Sequence, residues 1–189
     1  MENKSKLTTK KIVLTALMAA LTVAGSAIRI TLPLEIAGTT AFHLGNIMCA
    51  LSGLLLGPWL GGLASGLGSA IYDIMNPLYI SECWITFLTK GAYGLVAGLV
   101  AWQGTKNWDY LKALLATLAG ALTYAALYLA KSYFYSGLLI KGLSPDAALL
   151  TVLAKIPATT FNAVVALIFA PILGIAIRKA LKENHLTLE

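Results

Sequence analysis

The chain has 189 residues, of which 58% are hydrophobic and 12% are charged, and its net charge is +6 at pH 7. A soluble domain usually carries about a quarter charged residues, so this composition leaves too little polar surface for a soluble fold. It excludes a soluble globular protein, a disordered chain and a nucleic-acid-binding domain. Two cysteines cannot form a disulfide framework, and no Cys/His cluster indicates a metal. Residues 1–189 are therefore predicted to be one integral membrane domain.

Six apolar runs are candidates to cross the ~30 Å hydrocarbon layer, which takes about 20 residues per helix. The second run is short, and Gly57-Pro58 separates it from the third, so these two are predicted to form a tight helical hairpin. No run alternates as a barrel strand does, so the fold class is all-α with six transmembrane helices. The predicted spans cover residues 12–30, 44–56, 59–75, 84–102, 111–135 and 149–177.

The basic residues predict the orientation of these helices. The basic start and the first apolar run could be a secretory signal, but we interpret them as the first helix. Six spans place both termini on one side, together with two of the connections. That side holds nine of the 14 basic residues, so both termini are predicted to be cytoplasmic and no nucleic acid is needed to explain the charge. The nine are Lys4, Lys6, Lys10, Lys11, Lys106, Lys112, Arg178, Lys179 and Lys182.

The other polar residues concentrate in the outer halves of the predicted helices. An ionisable residue inside a membrane costs about 2.5–3.5 kcal/mol on insertion scales, so each needs a partner or water. Several at similar depth indicate a polar cavity that opens outward and is closed below. Aromatic residues at the same level suit a flat or amphipathic organic ligand. The candidate substrate-binding residues are Asn46, Tyr72, Asp73, Tyr79, Trp84, Lys90, Tyr128, Lys131, Lys155 and Asn162.

A purely structural interpretation of the same residues stays open. The charged groups can pair with one another, Lys131 is close enough to the surface to snorkel, and Asn162 can bridge helices. Aromatic residues, including Trp59, Trp84, Trp102 and Trp108, also form interfacial belts. The sequence has no Walker A pattern and no nucleophile–base pairing, so it predicts neither an enzyme nor a self-powered pump.

Two further segments are candidates for function. Residues 31–42 form a long connection with Gly38 as a hinge, and we expect this loop to cover a bound ligand. Ala16, Ala20 and Ala24 form a stripe of small residues on the first helix, which either packs internally or docks another membrane protein. Other small residues at spacings of four, such as Gly53 and Gly94, are interpreted as internal packing.

Several short stretches together carry a family resemblance. They are the Ala16-x3-Ala20 pattern, FHLGN at 42–46, LGPWLGG at 56–62, GSAIYD at 68–73, Lys90-Gly91, and Lys155-Ile156-Pro157 with Asn162. In their order, and over nearly the whole chain, they resemble the substrate-binding S-components of energy-coupling factor (ECF) vitamin transporters. The cobalamin-specific CbrT type is the most similar.

The resemblance implies a subunit of an ABC-type importer in a bacterial cell membrane. Such a subunit binds a vitamin from outside, docks through Ala16, Ala20 and Ala24 on a transmembrane coupling protein with two ATPases, and delivers the vitamin by toppling. The vitamin is a transported ligand, possibly cobalamin, and no cofactor is implied. Riboflavin and pantothenate stay open, because tyrosines and lysines do not distinguish a corrinoid from a flavin, and Lys90 or Lys155 would suit a small carboxylate.

An ion-coupled secondary transporter, with Asp73 as the proton-coupled carboxylate, is the competing class. The sequence disfavours it, because it shows no obvious inverted repeat and no ionisable residue that continues the path to the cytoplasm. A purely structural membrane subunit is a third class, but it would not require buried charges.

Overall fold

The computed structural model describes residues 8–34, 38–104 and 108–184. Most of this part of the chain is helical, and one β-hairpin follows the first helix. In chain order the elements are α1 (Thr9–Ala27), β1 (Arg29–Leu34), β2 (Gly38–His43), α2 (Gly45–Ile74), a 3-10 helix (Ile80–Glu82), α3 (Cys83–Ala101), α4 (Tyr110–Lys131), a π-helix that continues α4 (Ser132–Ile140), and α5 (Pro145–Glu183).

Five helices in the described residues are long and apolar enough to cross a membrane, whereas the sequence predicted six spans. The difference lies in α2, which includes the second and third predicted spans. Gly57 breaks α2 with φ +77° and ψ −174°, a conformation essentially restricted to glycine, and Pro58 follows it. The Ser65 hydroxyl donates to the Cys49 carbonyl oxygen at 3.1 Å, so the two halves of α2 lie side by side. Each half is shorter than the ~20 residues of a full span.

Glycines let α2 and α3 pack with their backbones nearly in contact. A methyl group at Gly53 would lie 2.4 Å from the carbonyl oxygen of Gly94, and one at Gly98 would lie 2.5 Å from the backbone nitrogen of Pro58. Close backbone approach of this kind is how small residues pack membrane helices. The prediction that these glycines serve internal packing is confirmed.

Side-chain caps determine where three helices begin. The side chains of Thr8, Asp109 and Ser144 accept hydrogen bonds from backbone N–H groups in the first turns of α1, α4 and α5, which satisfies donors that have no partner within the helix. Helix α5 therefore begins before its predicted boundary at residue 149. Helix α1 ends at Ala27 rather than residue 30, because Arg29 already belongs to β1.

The all-α prediction is wrong for residues 29–34 and 38–43, which form two β-strands. That residues 31–42 cover a bound ligand stays a prediction. Strands β1 and β2 pair antiparallel, with Arg29 opposite His43 and Leu34 opposite Gly38. A two-stranded hairpin is marginally stable alone, but α5 holds this one. The Asn162 amide donates to the Ala41 carbonyl oxygen at 2.8 Å and accepts from the His43 N–H at 3.0 Å. Residues 35–37, which include Glu35, lie outside the described residues.

One end of the helical bundle is closed by two tryptophans. The indole N–H groups of Trp102, just after α3, and Trp108, just before α4, both donate to the Leu54 carbonyl oxygen, at 3.0 and 3.1 Å. Arg178 lies 4.6 Å from the Trp108 ring centre. Trp108 is buried, so its assignment to an interfacial belt is wrong, whereas Trp59 is 76% exposed. An apolar core that includes Leu51, Leu54 and Tyr93 fills the bundle next to this end.

Candidate functional site

A cavity of about 270 Å³ lies at the end of the bundle opposite to Trp102 and Trp108. Its position follows from the ends of the elements that line it. Arg29 comes just after α1, Asp73 is next to last in α2, and Lys131 is the last residue of α4. The hairpin, the beginning of α3 and the first half of α5 complete the wall. The apolar core therefore separates the cavity from the closed end of the bundle.

The structure brings eight of the ten predicted site residues to this cavity. Asn46 and Trp84 do not line it. Asn46 is buried beside the wall, and Trp84 is 54% exposed with its ring 5.8 Å from that of Tyr135. The eight lining residues are Tyr72, Asp73, Tyr79, Lys90, Tyr128, Lys131, Lys155 and Asn162.

Lys90 reaches the cavity from α3 and is positioned by groups that are all neutral. Its ammonium donates to the Asn46 amide oxygen and lies 3.8 Å from the centre of the Tyr124 ring. The Tyr124 ring in turn stacks on that of Tyr128, with 5.6 Å between the ring centres. Asn46 therefore acts on the cavity by orienting Lys90, and the two tyrosines present one aromatic surface from α4.

Two further lysines lie around Tyr128. The ammonium groups of Lys131 and Lys155 are 5.9 and 5.5 Å from the centre of its ring. Lys131 forms an ion pair with Glu82, which also accepts a hydrogen bond from the Ser136 hydroxyl at 2.8 Å. Lys155 is 7% exposed and donates to the Ser132 hydroxyl at 3.3 Å. Tyr128 thus lies near two cations, of which one is paired with a carboxylate and the other is hydrogen-bonded to a neutral hydroxyl.

Arg29 connects the hairpin to the helices across the cavity. Its two terminal nitrogens donate to the hydroxyls of Tyr72 at 3.0 Å and Tyr79 at 2.9 Å. Its guanidinium also lies 5.3 and 4.7 Å from the centres of the same two rings. Such contacts combine hydrogen bonding with cation–π attraction. Both tyrosines were predicted as site residues, but the cation that holds them was not.

Several residues that line the cavity were not among the predicted site residues, including Arg29, Thr40, His43, Glu82 and Tyr124. Arg29 and Glu82 were visible as charges near helix ends, and Tyr124 shares a helix face with Tyr128. His43 gave no comparable signal. Burial, and then the nearby positive charges of Lys90 and Arg29, hold the pKa of its imidazole well below the usual 6.5. The ring is therefore neutral at neutral pH, and its Nδ1 accepts from the Gly45 N–H at 3.1 Å.

The predicted docking stripe lies on the outer surface of α1. Ala16, Ala20 and Ala24 are all exposed. The opposite face of α1, which includes Ala19 and Thr22, packs closely against α2 at Gly68. Of the two interpretations left open by the sequence, internal packing is therefore excluded against the described residues of this chain.

The donor groups of the cavity suit an organic ligand. Within the described ranges, no three His, Cys, Asp or Glu side chains come together as a potential metal site. What the cavity offers is cations, hydroxyls and aromatic rings. These groups can bind a partly aromatic solute with polar substituents.

Comparison with known proteins adds two findings. The model of the family described as "ECF-type riboflavin transporter, S component" matches residues 6–179. A protein of Pyrococcus woesei, described as an uncharacterized protein in gap 3'region, is 34% identical over 118 residues, which is 62% of this chain and 74% of that protein.

Proposed function

The chain belongs to the ECF-type riboflavin transporter S component family, and we propose that its cavity is the site that binds the transported vitamin. Family membership makes the chain a multi-pass membrane protein, a vitamin-binding transport subunit of an ECF importer and not itself an enzyme. The observation that carries the proposal is the cavity at one end of the bundle, with Tyr124, Tyr128 and buried cations in its wall. A vitamin with a ring system, such as riboflavin, can stack on these tyrosines, and the carboxylate of a ring-free vitamin, such as pantothenate, can bond to the cations.

A vitamin of the size of riboflavin or pantothenate is the ligand we propose. The family is named after riboflavin, and a cavity of about 270 Å³ lies at the lower limit of the ~300–1,000 Å³ of drug-sized ligand sites. Cobalamin, to which the sequence resemblance pointed, is several times larger than either vitamin. It is therefore the second candidate, and it would require the hairpin to move outward.

Capture and release depend on the hairpin in this proposal. Thr40, Ala41 and His43 of β2 line the cavity, so the hairpin covers a bound vitamin from one side. Its attachments are the Asn162 amide and the Arg29 contacts to Tyr72 and Tyr79. Opening the hairpin breaks a small number of hydrogen bonds and leaves the helices intact, which suits a lid.

Delivery would occur by toppling of the whole subunit, driven by its partners. Charges at the ends of the helices must then pass lipid, where each unpaired charge is costly. Arg29 and Glu82 are already bonded within the chain, to tyrosine hydroxyls and to Lys131 respectively. Lys141 and Asp146 are exposed and would need shielding by the coupling protein. We propose that this protein docks on Ala16, Ala20 and Ala24, and that the two ATPases supply the work.

The competing proposal is a secondary transporter coupled to protons through Asp73. Asp73 is 8% exposed and lines the cavity, as that mechanism requires. In the described part of the chain, however, the buried charged residues are Asp73, Lys90 and Lys155, and all three belong to the cavity. No buried charge continues toward the closed end, so this alternative lacks a proton path.

Vitamin binding by the purified chain tests the proposal. The protein is purified in detergent, and riboflavin, pantothenate and cyanocobalamin are titrated separately in a calorimeter. We expect tight one-to-one binding of a small vitamin and a much weaker response to cyanocobalamin. Absence of binding by all three would refute the proposed function, whereas tight binding of cyanocobalamin alone would restore the corrinoid assignment.

A further inference from the structure

We propose that the vitamin bound here is an organic anion, with a carboxylate or phosphate that contacts Lys155. This inference rests on the proposed function and narrows its substrate class. It goes beyond the family name, because riboflavin itself has no net charge. The argument starts from the charges that surround the cavity.

Cations outnumber carboxylates in the wall of the cavity. Among the described lining residues, five side chains are cationic and two are carboxylates. His43 does not change this balance, because it is neutral at neutral pH. The cations are Arg29, Lys90, Lys131, Lys141 and Lys155, and the carboxylates are Asp73 and Glu82.

The two carboxylates cannot neutralise all of these cations. Glu82 is already engaged, since it accepts from both the Lys131 ammonium and the Ser136 hydroxyl. Asp73 is the other lining carboxylate in the described residues, and Lys90, Lys131 and Arg29 all act on its charge. Two carboxylates thus face five cations, and neither Arg29 nor Lys155 donates a hydrogen bond to a carboxylate in the part of the chain that the structure describes.

The hydrogen-bond partners of these two cations are neutral. Arg29 donates to two tyrosine hydroxyls, and Lys155 donates to the Ser132 hydroxyl. A buried cation whose partners are only neutral keeps most of its desolvation penalty. An anion in the cavity would reduce this penalty, because its charge would interact with the cations through a medium of low dielectric constant. The cavity therefore favours a negatively charged occupant.

Lys155 is the best placed of the cations to contact that anion. It is buried, and its ammonium donates a hydrogen bond to the Ser132 hydroxyl and lies 5.5 Å from the Tyr128 ring centre. Lys131, near the same ring, adds positive potential. A ligand that lies against Tyr128 would have its carboxylate or phosphate near both ammonium groups. Charge-assisted bonds of that kind are about twice as strong as neutral ones.

Two pairs of ligands that differ mainly in charge test the inference. Riboflavin is compared with riboflavin 5'-phosphate, and pantothenol with pantothenate, by titration of the full chain in detergent. The first pair tests a phosphate and the second a carboxylate. We expect the charged member of at least one pair to bind about 10–100-fold more tightly than the neutral member. In Lys155→Gln this preference, taken as the ratio of the two affinities in the same variant, should fall to about threefold or less.

A matched variant and a folding control accompany this experiment. Lys182→Gln removes the same charge from an exposed position at the end of α5 and should leave the preference unchanged. The unfolding temperatures of both variants are measured to check that they are folded. Lys155→Arg keeps the positive charge, so it should keep most of the preference for the anion.

Equal or tighter binding of the neutral members would overturn the inference and leave the proposed function intact. So would a strong preference for the anion that survives in Lys155→Gln. Tight binding of cyanocobalamin alone, which has no net charge, would also overturn it. If no vitamin binds, the proposed function itself fails, and this outcome is distinct from a failure of the charge preference.

Discussion

The Asn162 side chain offers the sharpest test of the hairpin as a lid. It makes two hydrogen bonds to the backbone of β2, to Ala41 at 2.8 Å and from His43 at 3.0 Å, and it is 6% exposed. Asn162→Ala removes both. At about 1 kcal/mol net for each bond, the hairpin would lose about 2 kcal/mol of attachment to α5. If release requires the hairpin to open, the dissociation rate of the vitamin should rise about 30-fold.

The rate is measured by stopped flow, with the bound vitamin displaced by an excess of a competitor. Asn184→Ala is the matched control, because the Asn184 side chain donates a hydrogen bond to the Ala180 carbonyl oxygen at the exposed end of α5, far along the helix from the hairpin. The control should change the rate by less than about twofold. If the folded Asn162→Ala protein released the vitamin at the original rate, the hairpin would not control release. A loss of affinity confined to the association rate would refute the reasoning as well.

Two further predictions concern docking and folding. Ala20→Trp places a bulky side chain on the exposed stripe of α1 and should reduce copurification of the coupling protein without changing vitamin affinity. The control Leu150→Trp, at an exposed position of α5, should change neither. Full complex formation by Ala20→Trp would disprove the docking assignment. Gly57→Ala forces φ +77° on a residue with a side chain and places a methyl group 2.8 Å from the Trp102 ring, so strain and overpacking should lower the free energy of unfolding by about 2–4 kcal/mol. Gly104 is also at positive φ, but a methyl group added there would have no atom within 4 Å, so Gly104→Ala should lower the free energy of unfolding by only about 1–2 kcal/mol. Equal losses of stability in the two variants, measured by thermal unfolding, would contradict this explanation of the break in α2.

The convergence of the charged residues could be predicted from the sequence. Asp73, Lys90 and Lys155 lie at comparable depths in different apolar runs, and polar groups in a membrane must meet one another or water. This requirement was enough to infer a polar cavity at one end of the bundle. The break between the halves of α2 was equally visible, because Gly57-Pro58 interrupts an otherwise continuous apolar run.

The hairpin could not be predicted in the same way. Its sequence includes Pro33 within β1, and a proline inside a short run argues against a strand. What stabilises the hairpin is Asn162, which is 119 residues away from His43 along the chain. Local patterns carry no information about such a partner, so the segment looked like a loop. An asparagine in an apolar helix indicated a bridge, but not what it bridges.

The contacts of two tryptophans could not be predicted from the sequence for a related reason. Trp102 and Trp108 lie near helix ends, where an interfacial belt is the usual interpretation. Both indoles instead share one acceptor, the Leu54 carbonyl oxygen, near the chain reversal at Gly57. A carbonyl next to a helix break is free to accept such bonds, but only the folded arrangement shows which donors reach it.

Uptake into proteoliposomes tests whether this chain is a vitamin-binding subunit that depends on its ATPase partners for transport. Vesicles hold either this chain alone or this chain with its coupling protein and two ATPases, and radiolabelled vitamin inside them is measured over time. We expect the chain alone to bind the vitamin but not to accumulate it under a proton or sodium gradient. Accumulation should require the complete complex, with ATP on the side of the membrane where the two ATPases lie. Concentrative uptake by the chain alone, driven by an ion gradient, would contradict the account and favour a secondary transporter.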